Sequence, residues 1–429
     1  MLVQFNFKNY KSFRDASSLD MTATKITEHP SHVVTAGGDK LLSVAAIYGA
    51  NASGKSNIYE AFAFMKDYVI NSFGYGREGE IDIADRNKTV PFLFDTDSRN
   101  AESEFEVFFM DPTDEKERTY QYGFCLLGTE VIEEWLYSKA KSSRNDYRTI
   151  FYRKRGEDFI SDGIPKKAAE NLLISLEPET LAVSLGAKLK ISKLQLVRDW
   201  FMKHEVMDFG SPAENFFRSA LLPKGFVRDK SVQDNVACYL SAFDESIIGF
   251  EIEEVRTLEE KVEKVYRINA LHRLAGSDKV QSIPLQNESS GTLKMFALYP
   301  ALKSVFEHGS LLVVDELNAR LHPLLIRNII LSFLSPDINP NHAQLLMTTH
   351  DIWQFSNEFL RRDELWMTDK TKEGVSTLYS VADFKDEDGN KARRNEALAK
   401  RYLLGNYGGI PALKPFNMLG KGGADGKKE

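Results

Sequence analysis

At 429 residues the chain is long enough to fold as two or three structural units with a sizeable core. Its composition, 42% hydrophobic and 27% charged, excludes wholesale disorder. No apolar run reaches the length needed to cross a bilayer, so a membrane role is excluded and a cytoplasmic location expected. The net charge of -7 excludes nucleic-acid binding through the field of the whole protein and leaves only a local basic patch to do it.

Val3, Phe5 and Phe7 alternate with Gln4, Asn6 and Lys8, which predicts a half-buried strand and not a signal peptide. Asn9-Tyr10-Lys11-Ser12-Phe13 follows. Residues 20–40 contain Pro30 and the pair Gly37-Gly38 without sustained periodicity, which predicts a strand end and an exposed loop. Leu41 to Tyr48 is apolar and reads as a buried parallel strand. Next comes Gly49-Ala50-Asn51-Ala52-Ser53-Gly54-Lys55-Ser56, a full match to G-x-x-x-x-G-K-[ST]. Glycines at this spacing let consecutive backbone N–H groups curl round a phosphate, with Lys55 reaching the β- and γ-phosphates and the Ser56 hydroxyl ligating Mg²⁺. Ile58, Phe62, Met65 and Val69 recur at helical spacing over 57–72. That completes the strand, loop, helix order and aims a helix N-terminus at the anion.

Between Val90 and Arg155 alternating aromatics, among them Phe105, Val107 and Phe109, then Tyr120, Tyr122 and Phe124, predict an antiparallel sheet. From Pro165 to about Phe243 the period becomes helical, with Ile191, Leu194, Val197 and Phe201 on one face. Strands return over Ile247 to Leu271, where Ile248, Phe250 and Ile252 alternate. Leu311 to Val314 ends in Asp315-Glu316, and Leu345 to Thr349 ends in His350. Both read as parallel strands buried on two faces, at whose carboxyl ends ligands bind. The Gly/Lys-rich tail beyond Met418 is expected to be disordered. Cys125 and Cys238 form no metal or disulfide pattern and are read as buried core thiols.

An acidic residue at a strand tip can hold Mg²⁺, and a second beside it can deprotonate an attacking water, so Asp315 is assigned to the metal and Glu316 to the base. His350 can donate a hydrogen bond to the γ-phosphate or to that water; a purely structural strand-end histidine would look the same. Asn287-Glu288-Ser289-Ser290-Gly291-Thr292 opens a predicted helix and forms either a second anion site or an ordinary N-cap by Ser289 or Ser290. Pro300 should kink or interrupt that helix.

The order of phosphate loop, Ser-Ser-Gly, Asp-Glu strand, Leu321-His322-Pro323 and strand-terminal His350 resembles the ATP-binding-cassette (ABC) ATPases. Within these it resembles the soluble branch that includes RecF, SMC and OLD proteins. Asn9 to Phe13, the run Gly49 to Asn57 and the closing Tyr402 to Pro411, with Tyr407-Gly408-Gly409-Ile410-Pro411, resemble RloA/AbiL-type AAA-family ATPases of phage-defence loci. The resemblance implies an α/β fold: an ABC-type P-loop NTPase head with a β-rich flank and a helical insertion. It divides the chain into 1–160 (first part of the head with the flank), 161–245 (insertion), 246–390 (second part of the head) and 391–429 (closing segment and tail).

By the same resemblance Gly49 to Asn57 would bind ATP, with Mg²⁺ on Ser56 and Asp315. Glu316 would be the catalytic base and His350 the switch histidine. Ser289, Ser290 and Gly291 would complete the site of a neighbouring protomer in a homodimer or higher oligomer. Asn318 and Arg320 stand where the family usually has an aspartate and a small residue, and Gln121 is one candidate for its glutamine loop. The implied function is Mg²⁺-dependent ATP hydrolysis, with ATP-driven dimerisation serving as sensor or scaffold of a bacterial anti-phage complex. A separate effector, a nuclease or toxin, would act. Among the roughly eighty residues after His350, Asp383, Asp386, Glu387 and Asp388 fall in one polar run, which reads as a solvated turn rather than a nuclease site. The alternatives are a RecF-like DNA-binding repair ATPase and a non-hydrolysing nucleotide switch. Two basic clusters, Lys139 to Arg155 and Lys391 to Arg401, are the candidates for DNA contact.

Overall fold

The computed structural model describes residues 1–75, 88–143, 146–255, 265–277, 279–385, 389 and 397–410. The chain opens with β1 (Leu2–Lys8) and β2 (Ser17–Asp20), passes through the hairpin β3 (Val33–Ala36) and β4 (Asp39–Leu42), and enters β5 (Val44–Gly49), from which helix α1 (Lys55–Asn71) leaves. A short α2 (Thr96–Arg99) precedes β6 (Ser103–Met110), β7 (Arg118–Leu127), β8 (Glu130–Ala140) and β9 (Arg148–Lys154). Helices α3 (Lys166–Ile174), α4 (Ala182–Lys188) and α5 (Ser192–Met202) lead to β10 (Glu205–Asp208), followed by α6 (Pro212–Ala220) and α7 (Lys230–Ser241). Then come β11 (Ile247–Val255), β12 (Val265–Arg273) and β13 (Val280–Pro284), followed by α8 (Ser290–His308) and β14 (Leu311–Asp315). Helix α9 (Pro323–Leu334), β15 (Gln344–Thr348), β16 (Leu365–Lys370), β17 (Ser376–Ser380) and α10 (Leu398–Leu403) complete the described chain.

The central sheet has the order β10-β14-β15-β5-β16-β17 and is parallel except for β17. All six residues of β5 are buried, because its two faces feed two cores. Ala45 and Ile47 join α1, α4, α5 and the antiparallel sheet on one side, while Val44, Ala46 and Tyr48 join α8 and α9 on the other. Burial on both faces is why β5, β14 and β15 read as continuous apolar runs. The antiparallel sheet has the order β2-β1-β6-β7-β8-β9, so the first strand of the chain sits inside the flank. Gln344, buried at the start of β15, ties the two sheets together by accepting from Leu2 N (2.6 Å) and donating to the carbonyls of Leu2 and Leu42 (3.0 Å each).

Several expectations change here. The buried strand begins at Val44, because Leu41 and Leu42 belong to the preceding hairpin. Part of the loop in 20–40 is buried: His32 pairs with Glu364, and Arg361 forks onto Asp363 while donating to the carbonyl of Glu28 at 2.6 Å. The helical insertion expected over 161–245 is divided by β10, which is parallel to β14 in the central sheet, so α3 to α5 pack with α1 while α6 and α7 lie beyond that strand. A bulge between Ile247 and Gly249 breaks the alternation in β11 and leaves Ile248 exposed. Cys125 is buried, as expected, but Cys238 is exposed. Helix α8 runs through Pro300 without a break. Among the described residues no helix is long and apolar enough to cross a membrane. The expected tail beyond Met418, and Asp386, Glu387 and Asp388, lie outside the described residues.

Candidate functional site

The phosphate loop links β5 to α1, and sterics explain its glycines. A Cβ on Gly49 would lie 2.3 Å from Thr368 Oγ1, and one on Gly54 would lie 2.6 Å from Ser376 Oγ. Gly54 also has φ 111° at the N-cap of α1, a left-handed conformation that glycine adopts without strain. No side chain caps that helix, so its first N–H groups are left for an anion. By contrast, Ser289 Oγ accepts from Thr292 N at 3.1 Å and caps α8. Lys55 is buried and donates to the carbonyls of Gly49 (3.0 Å) and Ala50 (2.9 Å), holding its ammonium across the loop. Burial pushes its amine down to about 8, with Asp315 and Glu316 opposing.

The segment Asn9 to Phe13 braces this loop from behind. Asn57 Nδ2 donates to Ser12 Oγ at 2.6 Å, Ser376 Oγ donates to the Ser53 carbonyl at 2.7 Å, and Ser376 N donates to the Ser12 carbonyl at 2.7 Å. Asn57 therefore spends its side chain on the brace, whereas Asn51 and Ala52 crown the loop in solvent. The closing segment reaches the same place: a Cβ on Gly409 would lie 3.4 Å from the Gly49 Cα and 3.0 Å from the Thr368 carbonyl.

Because β14, β15 and β5 are parallel neighbours, their carboxyl ends bring Asp315, His350 and the phosphate loop to one edge. Asp315 is buried, with Thr348 Oγ1 donating to it and Ser56 hydrogen-bonded to it. Burial pushes its carboxyl up, against those two hydrogen bonds. An oxygen pair of hydroxyl and carboxylate suits a hard divalent cation that keeps some of its waters, so Ser56 and Asp315 fit Mg²⁺. Glu316 N donates to Thr348 Oγ1 at 2.9 Å, and Glu316 has φ 51°. His350 N donates to Asn318 Oδ1 at 3.1 Å. Desolvation, with Lys55 nearby, pushes the His350 imidazole down to about 4, so it is neutral at pH 7. Asn318 thus joins the loop after Asp315 to the end of β15.

Gly291 lies near that same loop, where a Cβ on it would lie 3.5 Å from the Arg320 carbonyl, while Ser289 is spent on the cap and Ser290 opens α8. Gln121 is not at the site; it lies on β7 in the antiparallel sheet and donates to Glu106 at 2.7 Å. The end of β10 takes the place next to Asp315 instead. Asp208 is the Cα partner of Asp315 in the parallel register, and Phe209 N donates to the Asp315 carbonyl at 3.0 Å. Sequence reasoning missed Asp208 because its strand is four residues long with only Met207 buried. The first basic cluster is largely neutralised: Arg153, Lys154 and Arg155 pair with Glu134, Glu133 and Glu130 on the adjoining strand, and Lys141 pairs with Glu117. Arg144, and Lys391, Arg393 and Arg394 of the second cluster, lie outside the described residues.

Comparison with known proteins places residues 44–352 in the span of a family described as "AAA domain, putative AbiEii toxin, Type IV TA system". A search of curated proteins returns no match. Among solved structures the chain is similar to the SmcHead bound to the C-winged helix domain of ScpA, with 13% identity and a TM-score of 0.41 over 88% of this chain and 97% of that one.

Proposed function

The chain belongs to the family described as AAA domain, putative AbiEii toxin, Type IV TA system, and from that premise we propose that it is a Mg²⁺-dependent ATP hydrolase that dimerises on ATP. One observation carries the reading: the uncapped N-terminus of α1, Lys55, the Ser56–Asp315 pair and Glu316 share one edge of a parallel sheet. The N–H groups of the loop and Lys55 hold the β- and γ-phosphates. Ser56 and Asp315 hold Mg²⁺, which when bound neutralises charge on the phosphate oxygens. Glu316 takes the proton of the attacking water, and His350, as a neutral donor, orients that water or the γ-phosphate. Ser289, Ser290 and Gly291 of a second copy close over the γ-phosphate in a head-to-tail dimer.

In the cell this cycle serves as sensor or scaffold of a cytoplasmic anti-phage complex and controls a separate effector, a nuclease or toxin. The family description supports a toxin-antitoxin setting, and it attaches the word toxin to the matched family itself rather than to a separate effector. A RecF-like role on DNA has less support, because the first basic cluster is paired within its own sheet.

The test is steady-state and single-turnover hydrolysis of ATP by the purified chain, with its mass measured with and without ATP. Multiple turnovers and an ATP-dependent dimer are expected; an ATP-dependent dimer without turnover would favour the non-hydrolysing switch. Lys55→Ala should weaken ATP binding by about tenfold or more, the worth of a charge-assisted hydrogen bond to phosphate. Normal affinity in that variant would mean the loop is not the binding site. Gly210→Ala gives a finer check, because the new methyl would lie 2.9 Å from Glu316 Oε2 and 3.1 Å from Asp208 Oδ1. The carboxylate end of Glu316 is free to swing away. Thermal stability should therefore stay near wild type while turnover falls by roughly tenfold through misplacement of the base. Wild-type turnover in Gly210→Ala would show that Glu316 works from another position.

A further inference from the structure

Lys294 lies one turn into α8 and is 6% exposed, an unusual place for an ammonium. Its Nζ donates to the Ala319 carbonyl and sits 4.0 Å from the centroid of the Phe209 ring. These two partners belong to the loops that leave β14 and β10, the first carrying Glu316 and the second carrying Gly210. Glu316 and Asp208 are both within electrostatic reach and favour the charged amine, while burial, the largest influence, and Arg320 oppose it. A Cβ on Gly291, one turn earlier on the same helix, would lie 3.5 Å from the carbonyl of Arg320, the residue after Ala319.

The loop that Lys294 grips has reason to need a clamp. Glu316 and Arg320 have φ 51° and 61°, conformations that are strained for residues other than glycine and persist only when the surroundings hold them. Asn318 anchors the loop on one side to the His350 backbone. Lys294 anchors it on the other side to α8. We infer that Lys294 is a positioning residue for Glu316, clamping the strained loop 316–320 to helix α8 so that whatever engages Ser289–Gly291 at the start of α8 also sets the aim of Glu316 in the same protomer.

This rests on the reading of Glu316 as the base, and the experiment separates the two. Steady-state kcat and KM are measured for wild type, Lys294→Met and Lys294→Arg, and equilibrium binding is measured with a fluorescent ATP analogue. The methionine variant should lose at least about tenfold in kcat with analogue affinity within about twofold of wild type, and arginine, which keeps a donor and a charge, should recover most of the rate. In a Glu316→Gln background Lys294→Met should cost nothing more, because residues acting as one unit are not additive. Should Lys294→Met not fold, Phe209→Leu carries the test, since it removes the ring under the ammonium and leaves the lysine. A loss of about threefold or more in kcat with analogue binding unchanged is then expected. Wild-type kcat in Lys294→Met, or in Phe209→Leu where that variant replaces it, overturns the inference, as does a loss that arginine fails to recover or that simply adds to the loss from Glu316→Gln. A wild-type chain that does not turn over ATP overturns both this inference and the function on which it rests.

Discussion

Glu316→Gln should bind ATP with wild-type affinity and hydrolyse it about 10²- to 10⁴-fold more slowly, the range expected when a general base is removed. The substitution keeps the volume and a hydrogen-bonding end but cannot accept a proton. Its backbone contact, Glu316 N to Thr348 Oγ1 at 2.9 Å, is untouched, so the loop that also holds Asn318 and His350 stays in place. The groups assigned to the phosphates, Lys55 and the start of α1, lie across the edge on β5's side and should be unaffected. Single-turnover hydrolysis beside an equilibrium binding measurement separates chemistry from affinity. Unchanged turnover would sink the assignment. Asp208 is the carboxylate that would then inherit the role, since Gly210 lies between it and Glu316, and Asp208→Asn would have to be the dead variant.

What could be read from the chain alone follows from where its constraints are local. Gly49 and Gly54 are legible because a side chain at either would strike Thr368 or Ser376, so the spacing in sequence records a steric fact. The strands ending at Asp315 and Thr348 are legible because burial on both faces makes them apolar throughout. β10 is the opposite case. Its residues Glu205, Val206, Met207 and Asp208 carry no pattern a short strand would need, and it is a strand because β14 offers it an edge. Asp208 and Lys294 were therefore invisible: one sits on an element that only tertiary pairing creates, the other on a helix face where a lysine reads as solvated. Gln121 is a candidate in sequence for the same reason, since nothing there says which sheet a strand will join, and its hydrogen bond to Glu106 keeps it in the flank. The exposure of Ile248 turns on a single bulge, which moves a side chain from one face to the other without altering composition.

The composite site makes a prediction that no single-chain reading shares. Ser289→Arg should abolish hydrolysis, because a bulky cation at the start of α8 would block closure over the neighbour's γ-phosphate. Ser289 also caps α8, and losing that cap costs about 0.5–2 kcal/mol, a loss that a 19-residue helix packed through Phe296, Leu298 and Val305 should survive. A melting curve on the purified variant checks this. Lys55→Ala should be inactive for a different reason, at the other half of the site. When the two are mixed and allowed to exchange, each heterodimer places the intact phosphate loop of the Ser289→Arg chain against the intact Ser289–Gly291 of the Lys55→Ala chain. Its second site carries both lesions. Random assortment of two-fold dimers then leaves about a quarter of all sites intact, so activity should return to roughly that fraction of wild type if sites fire independently. A recovery above the parents but well below that fraction would mean that an intact second site speeds the first. A mixture as inactive as its parents, with heterodimers shown to form by mass, would contradict the composite site and leave α8's N-terminus as an ordinary capped helix end.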